Sequence, residues 1–461
     1  MRQKQVRSNY NFLILERVTT TDLAGSIAAS KKLTKQELDL VIKKNSHLIR
    51  VPRRPDWRKF ASAAELKRAE NAAFLDWRKQ IATIENQDNF ILTPFERNIE
   101  MWRQLWRVVE VSDLLVQIVD ARNPMLFYCE DLSDYALQVK PGMKFLLLVN
   151  KADLLTPEQK EMWKIYFDSR GIDFRFFSAA KNCDDVEAQA AKEHPSDITR
   201  SELLDLFEES FPKGGHVGFV GYPNVGKSST INALVGEKRV SVAATPGKTK
   251  HFQTIALSKG IILCDCPGLV FPNISSSRSE LVLNGILPID QLRDFVGPSS
   301  QLCAYVPKKV LEAIYGIMLI QKGVEEQGEF VDYSTLLGTY ALNRGFRTQN
   351  FGNPDESRAA RIILKDFVAG KILFCYPPNG VPYEDFNKYN FDRTLEMYRD
   401  RPKPKAVPTP ESDPYLAEVS EVRAFSKQPN GVSSYSRFSV DKNDSNSGKS
   451  SKKHYKMNKK K

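Results

Sequence analysis

Gly221-Tyr-Pro-Asn-Val-Gly-Lys227-Ser228 is the stretch that decides how this chain folds. It follows the apolar run His216-Val-Gly-Phe-Val220 and opens into Ser229-Thr-Ile-Asn-Ala-Leu234. An extended run, a glycine loop and a helix, in that order, make the G-x-x-x-x-G-K-S spacing a phosphate-binding loop rather than a chance turn. Gly221 and Gly226 let the backbone fold back so that successive N–H groups point at a phosphate, and the positive end of the helix adds to that field. Asn224, Val225, Gly226, Lys227, Ser228 and Ser229 are the nucleotide-binding residues this implies. Lys227 is expected on the β- and γ-phosphates and Ser228 on Mg²⁺. The ligand class is a nucleoside triphosphate.

Working outward toward the N-terminus, Leu114-Leu-Val-Gln-Ile-Val119 and Phe145-Leu-Leu-Leu-Val149 suit buried parallel strands. Strands separated by helical stretches give an α/β, doubly wound sheet. The second strand ends in Asn150-Lys151-Ala152-Asp153. A carboxylate there accepts from both the ring N–H and the exocyclic amine of guanine, which adenine does not offer. Asn150 is expected to hold the base and the Lys151 stem to pack over its ring. Asp173-Phe-Arg-Phe-Phe177 leads into Ser178-Ala179, whose backbone can donate to the guanine carbonyl oxygen. The nucleotides are therefore GTP and GDP.

Toward the C-terminus lie Thr245-Pro-Gly-Lys-Thr249-Lys250-His251 and Asp265-Cys-Pro-Gly268, two candidate switches. Thr249 would complete the Mg²⁺ shell when the γ-phosphate is present, and Asp265 would bind the ion through water. The Gly268 N–H would touch the γ-phosphate and report its loss. Lys227, Thr249 and Gly268 are the expected catalytic residues; Ser228, Thr249 and Asp265 are the expected Mg²⁺ set. The order is unusual: guanine motif, Ser-Ala motif, phosphate loop, then both switches. A doubly wound sheet tolerates such a circular permutation because its spatial order survives wherever the chain is opened. The second switch then runs directly into whatever follows Leu269, a covalent route from nucleotide to the next domain.

The 461 residues are 41% hydrophobic, enough for two or three domains with a large core. No apolar run approaches the roughly 20 residues of a membrane helix. Met1-Arg-Gln-Lys-Gln-Val-Arg7 lacks the apolar region of a secretory signal; its basic character leaves a mitochondrial address as an alternative, opposed by Glu16 and Asp22. Cysteines at 129, 183, 264, 266, 303 and 375 are scattered, and Cys264-Asp-Cys266 is too closely spaced for a zinc knuckle. They fit small buried residues in a reducing compartment. A net charge of +11 points to an anionic partner.

The flanks divide the chain into a basic, partly helical extension (1–92), the GTPase domain (93–275), a helical domain (276–380), and a disordered linker with a lysine-rich tail (381–461). Prolines hold Val51-Pro-Arg-Arg-Pro-Asp-Trp57-Arg-Lys59 extended, either to drape over RNA or to pack its tryptophan on the main domain. Ser62 to Ile84 reads as a charged helix. Thr93, Pro94 and Glu96 form a capping box for a helix whose stripe Ile99, Trp102, Trp106 and Val109 is core. Residues 273–278 read as a polar loop. Asp355 to Gly370 runs from a cap to a terminal glycine, with Arg358, Arg361 and Lys365 on a solvated or RNA-facing side. Seven lysines from 449 to 461 suit a polyanion or a nuclear address.

The permuted order, the Asp120-Ala-Arg-Asn-Pro124 turn and Asp265-Cys-Pro-Gly-Leu-Val270 resemble the circularly permuted GTPases of ribosome assembly. Val51-Pro-Arg-Arg-Pro55, Leu92-Thr-Pro-Phe-Glu-Arg97, Trp102-Arg-Gln-Leu-Trp-Arg107 and Gly285-Ile-Leu-Pro-Ile-Asp290 are similar to the large-subunit GTPase 1 branch. The resemblance covers about residues 50 to 380. It implies a cytoplasmic factor, shuttling to the nucleus or not, that acts as a monomer late on the pre-60S particle and its rRNA. It implies, too, release of the nuclear-export adaptor. Asn224 matches the asparagine that helps bind K⁺ in potassium-dependent relatives. Leu269 stands where Ras-like enzymes carry a water-orienting glutamine, so intrinsic hydrolysis is expected to be slow. The rival readings are a nucleotide-gated scaffold with incidental hydrolysis, and a nucleolar or mitochondrial relative acting at another step.

Overall fold

The computed structural model describes residues 49–87, 91–180, 194–237, 252–275, 277–320, 328–348 and 352–400. Thr249, the rest of 245–251, residues 1–48, Cys183 and the lysine tail lie outside them.

The chain enters as a strap over residues 49–55. Two buried tryptophans, of which Trp106 belongs to the expected core stripe, hold it: the Trp77 indole donates to Arg50 O at 2.6 Å and the Trp106 indole to Pro52 O at 2.8 Å. The Arg53 guanidinium forks onto both Asp131 oxygens at 2.6 Å, and Arg54 bridges Glu70 at 2.9 Å and Glu110 at 2.6 Å. The stretch thus divides: Arg53 and Arg54 are ion-paired to the domain rather than displayed, which corrects that part of the RNA-facing alternative. Trp57 does not pack on the domain, against the other alternative: it is 49% exposed.

Helix α1 (Ala63–Gln87) buries Phe74, Trp77 and Ile81 in the same core as the sheet, so the N-terminal extension is continuous with the GTPase domain. Strand β1 (Ile91–Leu92) precedes α2 (Ile99–Val111), which buries Trp102, Trp106 and Val109 as the stripe requires. The cap is Asn98, accepting from Glu100 N at 3.0 Å, not Thr93. The Thr93 hydroxyl instead donates to Phe271 O at 2.6 Å and accepts from Asn273 N at 2.9 Å. A long-range partner outcompeted the local capping box.

The main sheet comprises β2 (Leu114–Asp120), β3 (Lys144–Asn150), β4 (Phe174–Phe177), β5 (Gly215–Gly221), β6 (Gln253–Ala256) and β7 (Ile261–Asp265). Their spatial order is β4-β3-β2-β5-β7-β6, with only β6 antiparallel. Every residue of β2 is buried, as a central strand covered on both faces must be. Helices α3 (Pro124–Phe127), α4 (Glu130–Val139), α5 (Pro157–Ser169), α6 (Arg200–Ser210) and α7 (Lys227–Val235) are the connections. The chain winds outward from β2 through β3 to β4, returns to β5 on the other side of β2, passes to the edge as β6 and comes back as β7 between β5 and β6. That reversal between β2 and β5 is a topological switch point, where doubly wound sheets bind ligands at their carboxyl ends.

After β7 the expected polar loop contains a short strand. β8 (Ile274–Ser275) pairs antiparallel with β1, Ile91 opposite Ser275. Among the described residues six α-helices follow: α8 (Arg278–Leu283), α9 (Val296–Tyr305), α10 (Lys308–Tyr315), α11 (Tyr333–Asn343), α12 (Glu356–Ala369) and α13 (Tyr383–Met397). They have their own core, including Val282, Leu302, Leu336 and Leu364. Asp355 caps α12, and Gly370 closes it at φ +86°. Lys365 pairs with Asp290 at 2.5 Å and Arg358 lies over Phe346. Helix α13 corrects the boundary placed at 380. Phe386 is fully buried, its carbonyl accepts from Gln159 at 2.7 Å, and Asn387 hydrogen-bonds Cys375 N and O at 2.8 Å. The low hydrophobicity of the segment concealed a helix held by buried amides. Cys264, Cys266, Cys303 and Cys375 are buried and Cys129 half-buried, none in a disulfide.

Candidate nucleotide site

The phosphate loop joins β5 to α7 at the switch point. A Cβ on Gly221 would lie 2.5 Å from Ile118 O, and one on Gly226, at φ +97°, 2.1 Å from the Asn150 amide. Only glycine fits either place. Asn224 also takes a positive φ, +65°, with its side chain exposed at the crest. Val225 is fully buried; Ser228 and Ser229 open α7 half-buried.

The guanine side is built around Asn150. Its Nδ2 donates to Val225 O at 2.8 Å and its Oδ1 accepts from Ala179 N at 3.2 Å. The residue expected to hold the base thus fastens the phosphate loop to the Ser178-Ala179 loop. Ser178 Oγ donates to Asp153 Oδ1 at 2.5 Å, orienting the carboxylate meant for guanine. Lys151, at φ +62°, sends Nζ to Asn224 O at 2.9 Å and to Asp120 Oδ2 at 2.7 Å. Asn150, Lys151, Asp153, Ser178 and Ala179 are therefore gathered in one place with the phosphate loop.

The phosphate side is sparer. Lys227 Nζ donates to Asp265 Oδ1 at 3.1 Å, and both residues are buried. Asp265 Oδ2 is buried with no hydrogen-bond partner. Burial raises this carboxyl above the usual range, offset in part by Lys227. Such an orphaned anionic oxygen fits a hydrated cation. Gly268 is pressed against Pro223 of the phosphate loop, where a Cβ would come within 3.1 Å of its Cα. The Leu269 N–H donates to Gly221 O at 3.1 Å while its side chain is buried, so it presents nothing to a water at the phosphates.

Sequence patterns did not assign a role to Asp120 or Arg122. Asp120 is buried at the carboxyl end of β2, the same kind of position that drew attention to Asn150, and that signal was available. Burial pushes its carboxyl up, but the Arg122 and Lys151 cations outweigh it and hold it well below the ordinary carboxylate range.

The sequence model of the family described as 50S ribosome-binding GTPase matches residues 216–295. Large subunit GTPase 1 of Schizosaccharomyces pombe is 44% identical over 425 residues, covering 86% of this chain and 68% of that protein. The Homo sapiens homologue is 35% identical over 586 residues, covering 96% and 89%. The chain belongs to the large subunit GTPase 1 family. The Saccharomyces cerevisiae member is 48% identical over 403 residues; the match covers 76% of this chain and 63% of its length. Among solved structures, GNP-bound YlqF from T. maritima shares 23% identity at a TM-score of 0.40, over 59% of this chain and 94% of that one. Like the large subunit GTPase 1 proteins, this chain is a GTPase that binds GTP and GDP.

Proposed function

We propose that this GTPase is a switch on the maturing large ribosomal subunit, acting as a monomer in the cytoplasm after shuttling with the particle. Hydrolysis there would drive release of the nuclear-export adaptor. What carries the reading is the union of a guanine-nucleotide site with 35–48% identity to proteins named for the large subunit. In this account Ser228, Thr249 and Asp265 hold Mg²⁺, which neutralises charge on the phosphates. Lys227 leaves Asp265 for the γ-phosphate, and the Gly268 N–H follows it. Asn224, exposed beside the phosphates, is the K⁺ ligand; the ion would supply the charge that an arginine finger otherwise gives.

Contact with rRNA is proposed at the turn Trp57–Lys59, which buries none of its three residues. Trp57 is the one exposed tryptophan among the described residues, and Arg58 lies 5.4 Å over its ring. The clamped strap behind it gives a firm platform for stacking a base.

GTP turnover by the purified protein, alone and with purified large subunits, in K⁺ and in Na⁺, tests the proposal. Strong stimulation by subunits supports the switch, and a K⁺ requirement supports Asn224. Tight GTP binding without stimulation would favour a nucleotide-gated scaffold, the reading that the buried Leu269 side chain keeps open. Thr249→Ala separates the two: a switch stalls on particles, a scaffold releases normally.

A further inference from the structure

The turn Asp120-Ala-Arg-Asn-Pro124 lies between the guanine side and the helical domain and is bonded to both. On one side Asp120 Oδ2 holds Lys151 Nζ at 2.7 Å, the same ammonium that donates to Asn224 O in the phosphate loop. In the middle, Asp120 accepts from Arg122 N and Nε at 3.0 Å and from Nη2 at 2.7 Å. On the other side, Arg122 Nη1 donates to Val368 O at 2.8 Å and Phe367 O at 3.3 Å, carbonyls in the last turn of α12. Phe367 O also accepts from the Gly370 N–H at 3.0 Å, whereas Val368 O has no other described partner, and the negative end of the helix dipole there favours a cation. The turn has two more ties to the helical domain. Tyr376 N donates to Arg122 O at 2.7 Å, and Asn123 Nδ2 to Asn284 Oδ1 at 3.1 Å.

We infer that Asp120 and Arg122 are positioning residues that couple the guanine-binding Lys151 to α12, so that nucleotide affinity and the seating of the helical domain rise and fall together. The inference rests on the reading of Lys151 as a guanine contact. The guanidinium is planar, and its donors are in fixed relation to one another. One arm is on Asp120 and the other on α12, so a shift of α12 turns the fork and with it the carboxylate that holds Lys151. Lysine at 122 can neutralise Asp120 but cannot reach both partners in that geometry. By linkage, a nucleotide that fixes Lys151 must tighten the far end to the same degree. This connection is separate from the covalent one through the second switch, and it joins the base, not the γ-phosphate, to the helical domain. It therefore reports whether any guanine nucleotide is bound, where the switch reports which one.

The test pairs GDP affinity with amide exchange at residues 366–370 in the full chain. In the wild type, saturating GDP should slow exchange there. Arg122→Lys should weaken GDP binding roughly fivefold or more, and at saturating GDP the slowing at 366–370 should disappear. Asp120→Asn, which keeps the side-chain shape, should do the same. A purely structural Arg122 would lower the melting temperature yet leave the GDP-dependent change in exchange intact, and that result overturns the coupling. So does wild-type exchange at 366–370 that ignores GDP. Failure of the wild type to bind GDP at all would instead overturn the guanine site itself.

Discussion

The two halves of the nucleotide site are built differently. On the guanine side Asn150, Lys151, Asp153 and Ser178 all have protein partners, and the loops they join are fastened to one another. On the phosphate side the one described contact between machinery residues is Lys227 with Asp265, whose second oxygen is left without a partner. A preformed base pocket gives selectivity without reorganisation, and a sparse phosphate pocket leaves the outcome to the ion and phosphates that enter it. Recognition is fixed in the fold; response is not.

The largest effect should come from breaking the sparse half. Lys227→Ala removes the only described cation opposite Asp265, and single-turnover phosphate release should fall roughly a hundredfold or more. Preference for GDP over ADP should persist, because the base side is untouched; loss of that preference would mean the halves are not separable. Asp153→Asn is the reciprocal experiment. An amide donates where the carboxylate accepted two bonds from guanine, so GDP affinity should fall about 10- to 100-fold in fluorescence titration. Xanthine, which offers an oxygen where guanine has an amine, should bind the variant better than guanine.

A smaller effect should follow from Gly226→Ala, which lies on the phosphate loop but strikes the guanine side. Its Cβ would meet the Asn150 amide at 2.1 Å from a backbone at φ +97°. Strain of about 1–3 kcal/mol is expected in chemical denaturation. Asn150→Ala should partly relieve the clash, so the double variant should be less than additive. The smallest effect is that of pH on Asp120. A carboxyl held below its unfolded value near 3.9 stabilises the fold above that value and ceases to do so as pH falls through the lower, folded one. The difference in melting temperature between wild type and Asp120→Asn should thus stay flat from about pH 9 to 5 and close only in strong acid.

The sheet and most of the site were legible in the sequence, for one physical reason. Fully buried parallel strands such as Leu114–Asp120 are continuous apolar runs, and polar residues at their carboxyl ends have no reason to be there except a ligand or a partner. Asn150 and Asp153 were found that way. What stayed hidden depends on distant pairing. Thr93 looked like a cap because capping is local, whereas its true partners are 178 and 180 residues away. Arg53 and Arg54 looked displayed because Asp131 and Glu110 could not be placed beside them. Helix α13 looked like linker because its anchors include Asn387 amide bonds, to which hydrophobicity is blind. The Asn150 amide was assigned to the base, whereas it bonds Val225 O and Ala179 N, since nothing local shows that those two converge on it.

The permuted order also sets a timetable for synthesis. Strands β2 and β3 leave the ribosome before the phosphate loop, yet the Asn150 amide has no Val225 carbonyl to hold until 75 more residues have been made. Arg122 waits 245 residues for Phe367 O. At roughly 5–20 residues per second that is about 12–50 s during which a guanidinium and a carboxylate destined for burial stay wet. An unpermuted domain of this type makes its phosphate loop first and can close early. Here the parts that recognise guanine are made before the phosphate loop and completed after it, so a newly made molecule should gain nucleotide only once its helical domain has emerged.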